Sequence, residues 1–197
     1  MTSPRLKNLL LITAIGAWLA AVGWGMVWLF DYSFTSAPVG AVATRWPDSG
    51  RLHLAAAGST LVIALQPDCP CSQVSVEELD RILTGSSAPV KVIALFVSYQ
   101  TLPQPVQETQ MWKRVSALPH ATTVLDPDAV EARRFGMAAS GEVRLYQADG
   151  ALRFHGGITR SRDHGGANPG QAAVAAIVNG RPVWRPLLSA PNYGCVF

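Results

Sequence analysis

Charge is scarce in this sequence, and it is poorly placed for a nucleic-acid partner. Charged residues make up 15% of the 197 positions, and the formal net charge is only +3. Two of the 16 basic residues precede position 9, whereas all 13 acidic residues follow position 30, so most of the chain is nearly neutral. No basic stripe with interleaved aromatic residues is present. The sequence therefore argues against a nucleic-acid-binding protein.

Cysteine is also scarce, and the spacing C-x-x-C that is common in redox and zinc sites is missing. The three cysteines are Cys69 and Cys71, in the stretch CPC, and Cys195 near the other end. No internal repeat or long low-complexity tract is visible. These absences exclude a disulfide-rich scaffold and a repeat protein, and they leave any thiol chemistry to three residues.

One apolar run, from Leu9 to Phe30, lacks charge altogether and predicts a single N-terminal transmembrane helix. As a helix it would reach about 33 Å, enough for a hydrocarbon core of about 30 Å. Small residues at 35–43 leave cleavage as a signal peptide open. The length of the run and the tryptophans at its far end favour an uncleaved anchor.

The charges beside this run predict its orientation. Arg5 and Lys7 precede it and Asp31 follows it, so the positive-inside rule places the short N-terminal segment in the cytoplasm. The main domain would then lie in the periplasm of a bacterial inner membrane, where disulfides are stable. Ala17, Ala21 and Gly25 form a small-residue face that a partner transmembrane helix could contact.

Beyond the anchor, strand and helix patterns alternate in the order β-α-β-α-β-α-β-β-α. Short apolar runs such as 60–65 and 90–97 predict buried strands, and helices between them favour a parallel core with an antiparallel edge. Asp128 and Glu131 predict a capping box for a short helix, and Asn168 predicts the N-cap of the last one. The expected organisation is a cytoplasmic tail (1–8), a transmembrane helix (9–30), a linker (31–58), an α/β domain (59–180) and a C-terminal tail packed on it (181–197).

Cys69 stands at a predicted strand-to-helix turn. There the helix dipole and free backbone N–H groups favour a thiolate, although the carboxylate of Asp68 opposes it. A disulfide between Cys69 and Cys71 would close a small, strained ring that is easily reduced. A redox pair, a metal clip and an inert buried pair all remain open.

The stretches QPDCPCS and LDPDAVEARRFGMAASGEVRLYQADGALRFHGGI resemble the thioredoxin-like superfamily, in particular its membrane-anchored periplasmic thiol–disulfide proteins. The resemblance covers residues 59–180 and implies a thioredoxin-like mixed sheet flanked by helices, with Cys69 as the attacking thiol. Two positions depart from the family pattern. The second cysteine of the family falls on Ser72, and its cis-proline falls on Gly141.

The leading hypothesis is a thiol-dependent redox protein that acts through Cys69 without a cofactor, either by thiol–disulfide exchange with another periplasmic thiol or disulfide protein or by peroxide-type thiol chemistry. Cys69 would attack, Cys71 or Cys195 would resolve the mixed disulfide, and Ser72 would help cap the helix and donate a hydrogen bond to the thiolate. One alternative is a non-catalytic interaction subunit of a larger inner-membrane complex. A weaker alternative is copper handling, with Cys69, Cys71 and His164 as ligands.

Overall fold

The computed structural model describes residues 3–47, 50–98, 105–183 and 188–197. The chain divides into two compact units, Met1–Thr35 and Ser36–Phe197. The first contains one long helix and the second an α/β domain, as the sequence predicts.

Helix α1 spans Pro4–Phe34. The Ser3 side chain accepts a hydrogen bond from the Leu6 N–H at its start, and a proline occupies its first turn. Its apolar window has a mean hydropathy of 1.9, and none of that window is buried within the structure. At about 1.5 Å per residue the helix is about 46 Å long, so by length and composition it can cross a membrane.

The described residues of the second unit form one mixed sheet of six strands. In chain order they are β1 (Ser59–Leu65), β2 (Val90–Ser98), β3 (Ala121–Pro127), β4 (Glu142–Gln147), β5 (Leu152–Gly157) and β6 (Ser189–Ala190). Their order in the sheet is β3-β2-β1-β4-β5-β6. The three strands β1, β2 and β3 run parallel, and the helices that connect them make this direction possible. Strand β4 is antiparallel to β1 and to β5, and the short β6 extends the β5 edge.

In the part of the chain that the structure describes, four helices flank the sheet. They are α2 (Pro70–Thr84), α3 (Gln110–Ser116, after a 3-10 turn at Val106–Glu108), α4 (Val130–Arg134) and α5 (Pro169–Val178). Asn168 caps α5, as predicted, by accepting the Gln171 N–H. The capping box predicted for α4 is wrong. Its first amides donate instead to the buried carboxylate of Asp126 at the end of β3, which no local sequence pattern requires.

The two faces of the sheet carry separate cores. One face packs α2, α3 and α5 around Phe96 and Leu145. The other face packs α4 together with a segment of the predicted linker. In that segment the ring of Trp46 contacts the rings of Phe135 and Tyr146, with ring centroids 5.0 and 5.3 Å apart. This part of the predicted linker is therefore a layer of the domain, because its apolar side chains complete the second core.

Candidate active site

Cys69 lies where β1 passes into α2. It is the N-cap residue of this 15-residue helix, so its side chain lies at the positive end of the helix dipole. Pro70 occupies the first turn, where its missing N–H has no helical partner to lose. The Cys69 side chain is buried, with 7% of its surface exposed.

The tail brings the third cysteine to this turn. The Sγ atoms of Cys69 and Cys195 lie 3.3 Å apart, and all three cysteine sulfurs lie within 4.8 Å of one another. All three are free thiols in the structure. The sequence offers Cys195 as one of two candidates for the resolving cysteine, and its sulfur lies beside that of Cys69.

The other two groups that contact the thiols are Ser140 and Asp163. The Oγ atom of Ser140 is 3.2 Å from the Cys69 sulfur. The Cys71 thiol donates a hydrogen bond to Oδ1 of Asp163 at 2.8 Å. Neither residue belongs to the site that the sequence predicts. Ser140 precedes Gly141, the position that matches the cis-proline of the family, and Asp163 lies beside His164 in a glycine-rich loop.

These contacts lower the pKa of one thiol and raise the pKa of the other two. Hydrogen bonding from Cys71, together with Ser140, the Ser72 backbone N–H and Cys195, lowers the pKa of Cys69 to about 4 against the opposing effect of burial. The pKa of Cys71 is raised, because its proton is held by Cys69 and Asp163 and because the thiol is buried. Burial and the neighbouring Cys69 also raise the pKa of Cys195. One thiolate therefore stands beside two protonated thiols.

Gly141 occupies the position of the family's cis-proline and makes a backbone contact that a proline could not make. Its backbone N–H donates to the carbonyl of Ala64 on β1 at 2.7 Å, a bond that a proline would lack. Its φ of +74° is open to glycine, and a Cβ atom there would overlap the Ser75 hydroxyl. No cis peptide bond occurs in the described ranges of the chain.

The tail pairs with the loop that contains Ser140. The Ser140 N–H donates to the carbonyl of Cys195 at 2.9 Å, and the Cys195 N–H donates to the Ser140 hydroxyl at 3.0 Å. The Asn192 side chain donates to the Ser140 carbonyl, and the Phe197 N–H donates to the carbonyl of Ala138. These bonds fix the position of the Cys195 sulfur.

A second loop, residues 159–167, closes the other side of the cluster. The buried carboxylate of Glu78 on α2 pairs with Arg81 and accepts the N–H of Gly166, which holds this loop against the helix. Arg162 in the loop donates to the carbonyl of Gly194 in the tail at 3.3 Å. Helix, loop and tail are thus connected around the three thiols.

Two residues of the predicted site, Ser72 and His164, make contacts other than those the sequence predicts. Ser72 lies inside α2, and its hydroxyl accepts the Gln66 N–H at 2.9 Å, so the contact it makes with the Cys69 sulfur comes from its backbone amide. His164 is exposed, and its Nδ1 lies 2.6 Å from the carbonyl of Arg162. Among the described residues, the cluster of metal-binding atoms contains Cys195 where the sequence suggested His164.

Solved structures match the domain at low sequence identity. A hypothetical protein from Sinorhizobium meliloti aligns at 22% identity and a TM-score of 0.55, over 83% of this chain and 94% of its own. An uncharacterized conserved protein from Geobacillus kaustophilus aligns at 20% identity and a TM-score of 0.58, over 83% of this chain and 90% of its own. These likenesses concern the fold.

A secreted Mycobacterium tuberculosis disulfide oxidoreductase, homologous to E. coli DsbE, aligns at 18% identity and a TM-score of 0.44, over 64% of this chain and 84% of its own. No family model and no curated protein matches the sequence. The mixed sheet with its flanking helices, and the thiol at the β1–α2 turn, confirm the predicted fold class. The chain has a thioredoxin-like fold, preceded by a helix long enough to span a membrane.

Proposed function

We propose that this protein is a membrane-anchored thiol–disulfide oxidoreductase in which Cys69 attacks and Cys195 resolves. The observation that carries the proposal is the 3.3 Å separation of their sulfur atoms, at the start of a helix that favours a thiolate on Cys69. Helix α1 would anchor the chain in a bacterial inner membrane, with the domain on the periplasmic side. This orientation rests on Arg5 and Lys7 before the helix and Asp31 after it.

The first step uses the Cys69 thiolate. It attacks one sulfur of a substrate disulfide, so that this S–S bond breaks and a mixed disulfide forms with Cys69. The other substrate sulfur leaves as a thiolate and takes up a proton from solvent. Ser140 and the Ser72 amide, which hydrogen-bond to the free thiolate, position the sulfur for this attack.

The second step uses Cys195. Its thiol gives up a proton to solvent and attacks Cys69, which releases the second substrate sulfur and leaves a Cys69–Cys195 disulfide. Two electrons have then passed to the substrate, and a periplasmic dithiol partner restores both thiols by the reverse sequence. Cys195 suits this role better than Cys71, because a C-x-C disulfide is strained and the Cys195 sulfur lies 3.3 Å from that of Cys69.

Exchange assays on the reduced full chain in detergent test this assignment. Cys69→Ser should abolish reduction of a disulfide-bonded peptide, whereas Cys195→Ser should stop turnover after the first step and accumulate the mixed disulfide. Cys71→Ser is the matched control, because its hydroxyl can still donate a hydrogen bond, and it should retain most turnover. Full turnover of Cys195→Ser would refute the role of Cys195, and activity in Cys69→Ser would refute the proposal.

A second candidate is a non-catalytic interaction subunit of an inner-membrane complex. The pairing of the tail with Ser140 favours it, because the backbone groups beside the thiol are already bonded within the chain. A partner helix would contact the face of Ala17, Ala21 and Gly25. Native gels after mild detergent solubilisation separate the candidates: a subunit migrates with a larger assembly, whereas a free catalyst migrates as a monomer or dimer.

A further inference from the structure

The three sulfur atoms have the spacing of ligands around one metal ion. Metal–sulfur bonds are about 2.3 Å long, so three sulfurs in a plane around one ion would be about 4.0 Å apart. The Cys69 and Cys195 sulfurs are 3.3 Å apart, and no pair in the cluster exceeds 4.8 Å. The Cys69–Cys195 separation would widen by about 0.7 Å to reach this spacing.

The backbone holds these sulfurs in place independently of any disulfide. Cys69 and Cys71 are fixed by the first turn of α2. Cys195 is fixed from the tail, where Gly194 lies so close to Ser140 that a Cβ atom would overlap the Ser140 carbonyl. Asn192 adds a buried hydrogen bond to the same carbonyl. Such a preformed arrangement reduces the conformational cost of binding an ion.

The ligand set determines the kind of ion. The three thiols lie together, and no imidazole joins them among the residues that the structure describes, since His164 is exposed and its Nδ1 contacts the Arg162 carbonyl. Sulfur ligands select soft ions such as Cu(I), whereas a structural zinc ion is almost always held by four protein ligands. We propose that the reduced protein binds one Cu(I) ion through Cys69, Cys71 and Cys195.

Binding would replace the thiol protons, which pass to solvent, and would leave the oxidation states of copper and sulfur unchanged. A Cys69–Cys195 disulfide would remove two of the three ligands, so the oxidised protein would not hold the ion. The copper site uses the thiols of the proposed exchange reaction but does not depend on that reaction. Exchange assays with a strong copper chelator present therefore test the two ideas separately.

The experiment is an anaerobic titration of the reduced full chain in detergent against a coloured Cu(I) chelator. We expect one Cu(I) per chain, with thiolate-to-copper absorption in the ultraviolet. Cys195→Ser and Cys71→Ser should each weaken binding on the order of 100-fold, since even residues that only support a metal ligand contribute about 10- to 100-fold. Thermal unfolding of the reduced apo variants checks that each one folds.

Two further variants define the ligand set. His164→Ala should bind Cu(I) as the unmodified chain does, and so should Asp163→Asn, which keeps the size of a side chain that contacts Cys71 without supplying a sulfur ligand. Loss of binding in His164→Ala would replace the three-thiol site by a mixed one and overturn the inference. Failure of the folded, reduced wild type to take Cu(I) from the chelator would also overturn it, and so would unchanged affinity in Cys195→Ser.

Discussion

At the scale of single residues, the charge of the Cys69 sulfur depends on groups from three parts of the chain. The start of α2 supplies the Ser72 amide and the Cys71 thiol, the loop before β4 supplies Ser140, and the tail supplies Cys195. Each contact stabilises the thiolate more than the protonated thiol, whereas burial acts in the opposite direction. Removing one contact should therefore raise the pKa of Cys69 without unfolding the domain.

The pH dependence of alkylation tests the acidity of Cys69 directly. With a pKa of about 4, the thiol is already ionised above about pH 5, so its rate with iodoacetamide should stay nearly constant from there to pH 9. Cys71 and Cys195, whose pKa values are raised, should react only at higher pH. Mass spectrometry of tryptic peptides after timed alkylation gives the three rates, and a Cys69 rate that climbs through pH 8–9 would contradict the assignment.

Ser140→Ala removes the hydroxyl that bonds to the Cys69 sulfur and accepts the Cys195 N–H. We expect the pKa of Cys69 to rise and its alkylation at pH 5 to slow, with little change at pH 8. Ser116→Ala is a suitable control, because that serine is exposed and distant in sequence from the site. An unchanged profile in Ser140→Ala would show that the hydroxyl does not stabilise the thiolate.

A buried ion pair lies on β4, directly after the loop that contains Ser140. Arg144 is fully buried, pairs with Glu142 at 2.8 Å and donates to the carbonyls of Phe135 and Gly136. Arg144→Met leaves the Glu142 charge unpaired and should lower the free energy of unfolding by about 3–5 kcal/mol. Arg153→Met, at an exposed site, should change it by less than about 0.5 kcal/mol. Urea denaturation followed by circular dichroism measures both, and equal effects would contradict the role of the pair.

At the scale of elements, the tail is the part of the site that departs most from a plain thioredoxin-like sheet. Ala139 and Val196 form an antiparallel bridge, so the tail adds a short extended segment beside the loop before β4. Gly194 permits this approach, because its backbone lies against that of Ser140. The position of Cys195 therefore depends on a glycine as well as on hydrogen bonds.

Gly194→Ala should push the tail away from Ser140 and separate the Cys195 sulfur from Cys69. Mild oxidation of the full chain should then yield less of the Cys69–Cys195 disulfide, measured by non-reducing peptide mapping. Gly85→Ala provides the control, since its φ is ordinary and its nearest backbone contact is 3.4 Å away. Equal disulfide yields in the two variants would show that the tail is not held by this contact.

The sequence predicts the elements well and their connections poorly. Alternating apolar runs place the five main strands and the helices, because burial of a strand or a helix face imposes a local period. Ser140, Asp163 and the Asp126 cap of α4 were not predicted, because each acts on a residue that the fold brings near from another element. The location of Cys69 follows from a local turn, whereas its partners follow from the tertiary structure.

At the scale of the whole molecule, the division after Thr35 separates the long apolar helix from the domain. Residues 36–197 contain both cores of the sheet, and the contact between Ala37 and Asn192 stays within them. The polypeptide 36–197 should therefore fold with the same thermal midpoint as the domain of the full chain, measured by circular dichroism.

The same truncation tests the anchor. The full chain should remain with membranes during alkaline extraction, because helix α1 exposes an apolar surface long enough to span the bilayer. Residues 36–197 should appear in the soluble fraction. Recovery of the full chain in the alkaline supernatant would contradict the transmembrane assignment, and aggregation of 36–197 would show that the domain needs α1.

The tail already pairs with residues 138–140, so an extended peptide that binds the same backbone groups must displace the tail. Such a peptide competes with a segment of the same chain, whose effective concentration is on the order of millimolar for a short flexible connection. The peptide must supply contacts beyond the shared backbone bonds to displace it. The tail is therefore an intramolecular competitor. It lowers the affinity of peptides that bind through backbone contacts alone more than the affinity of partners with a large complementary surface.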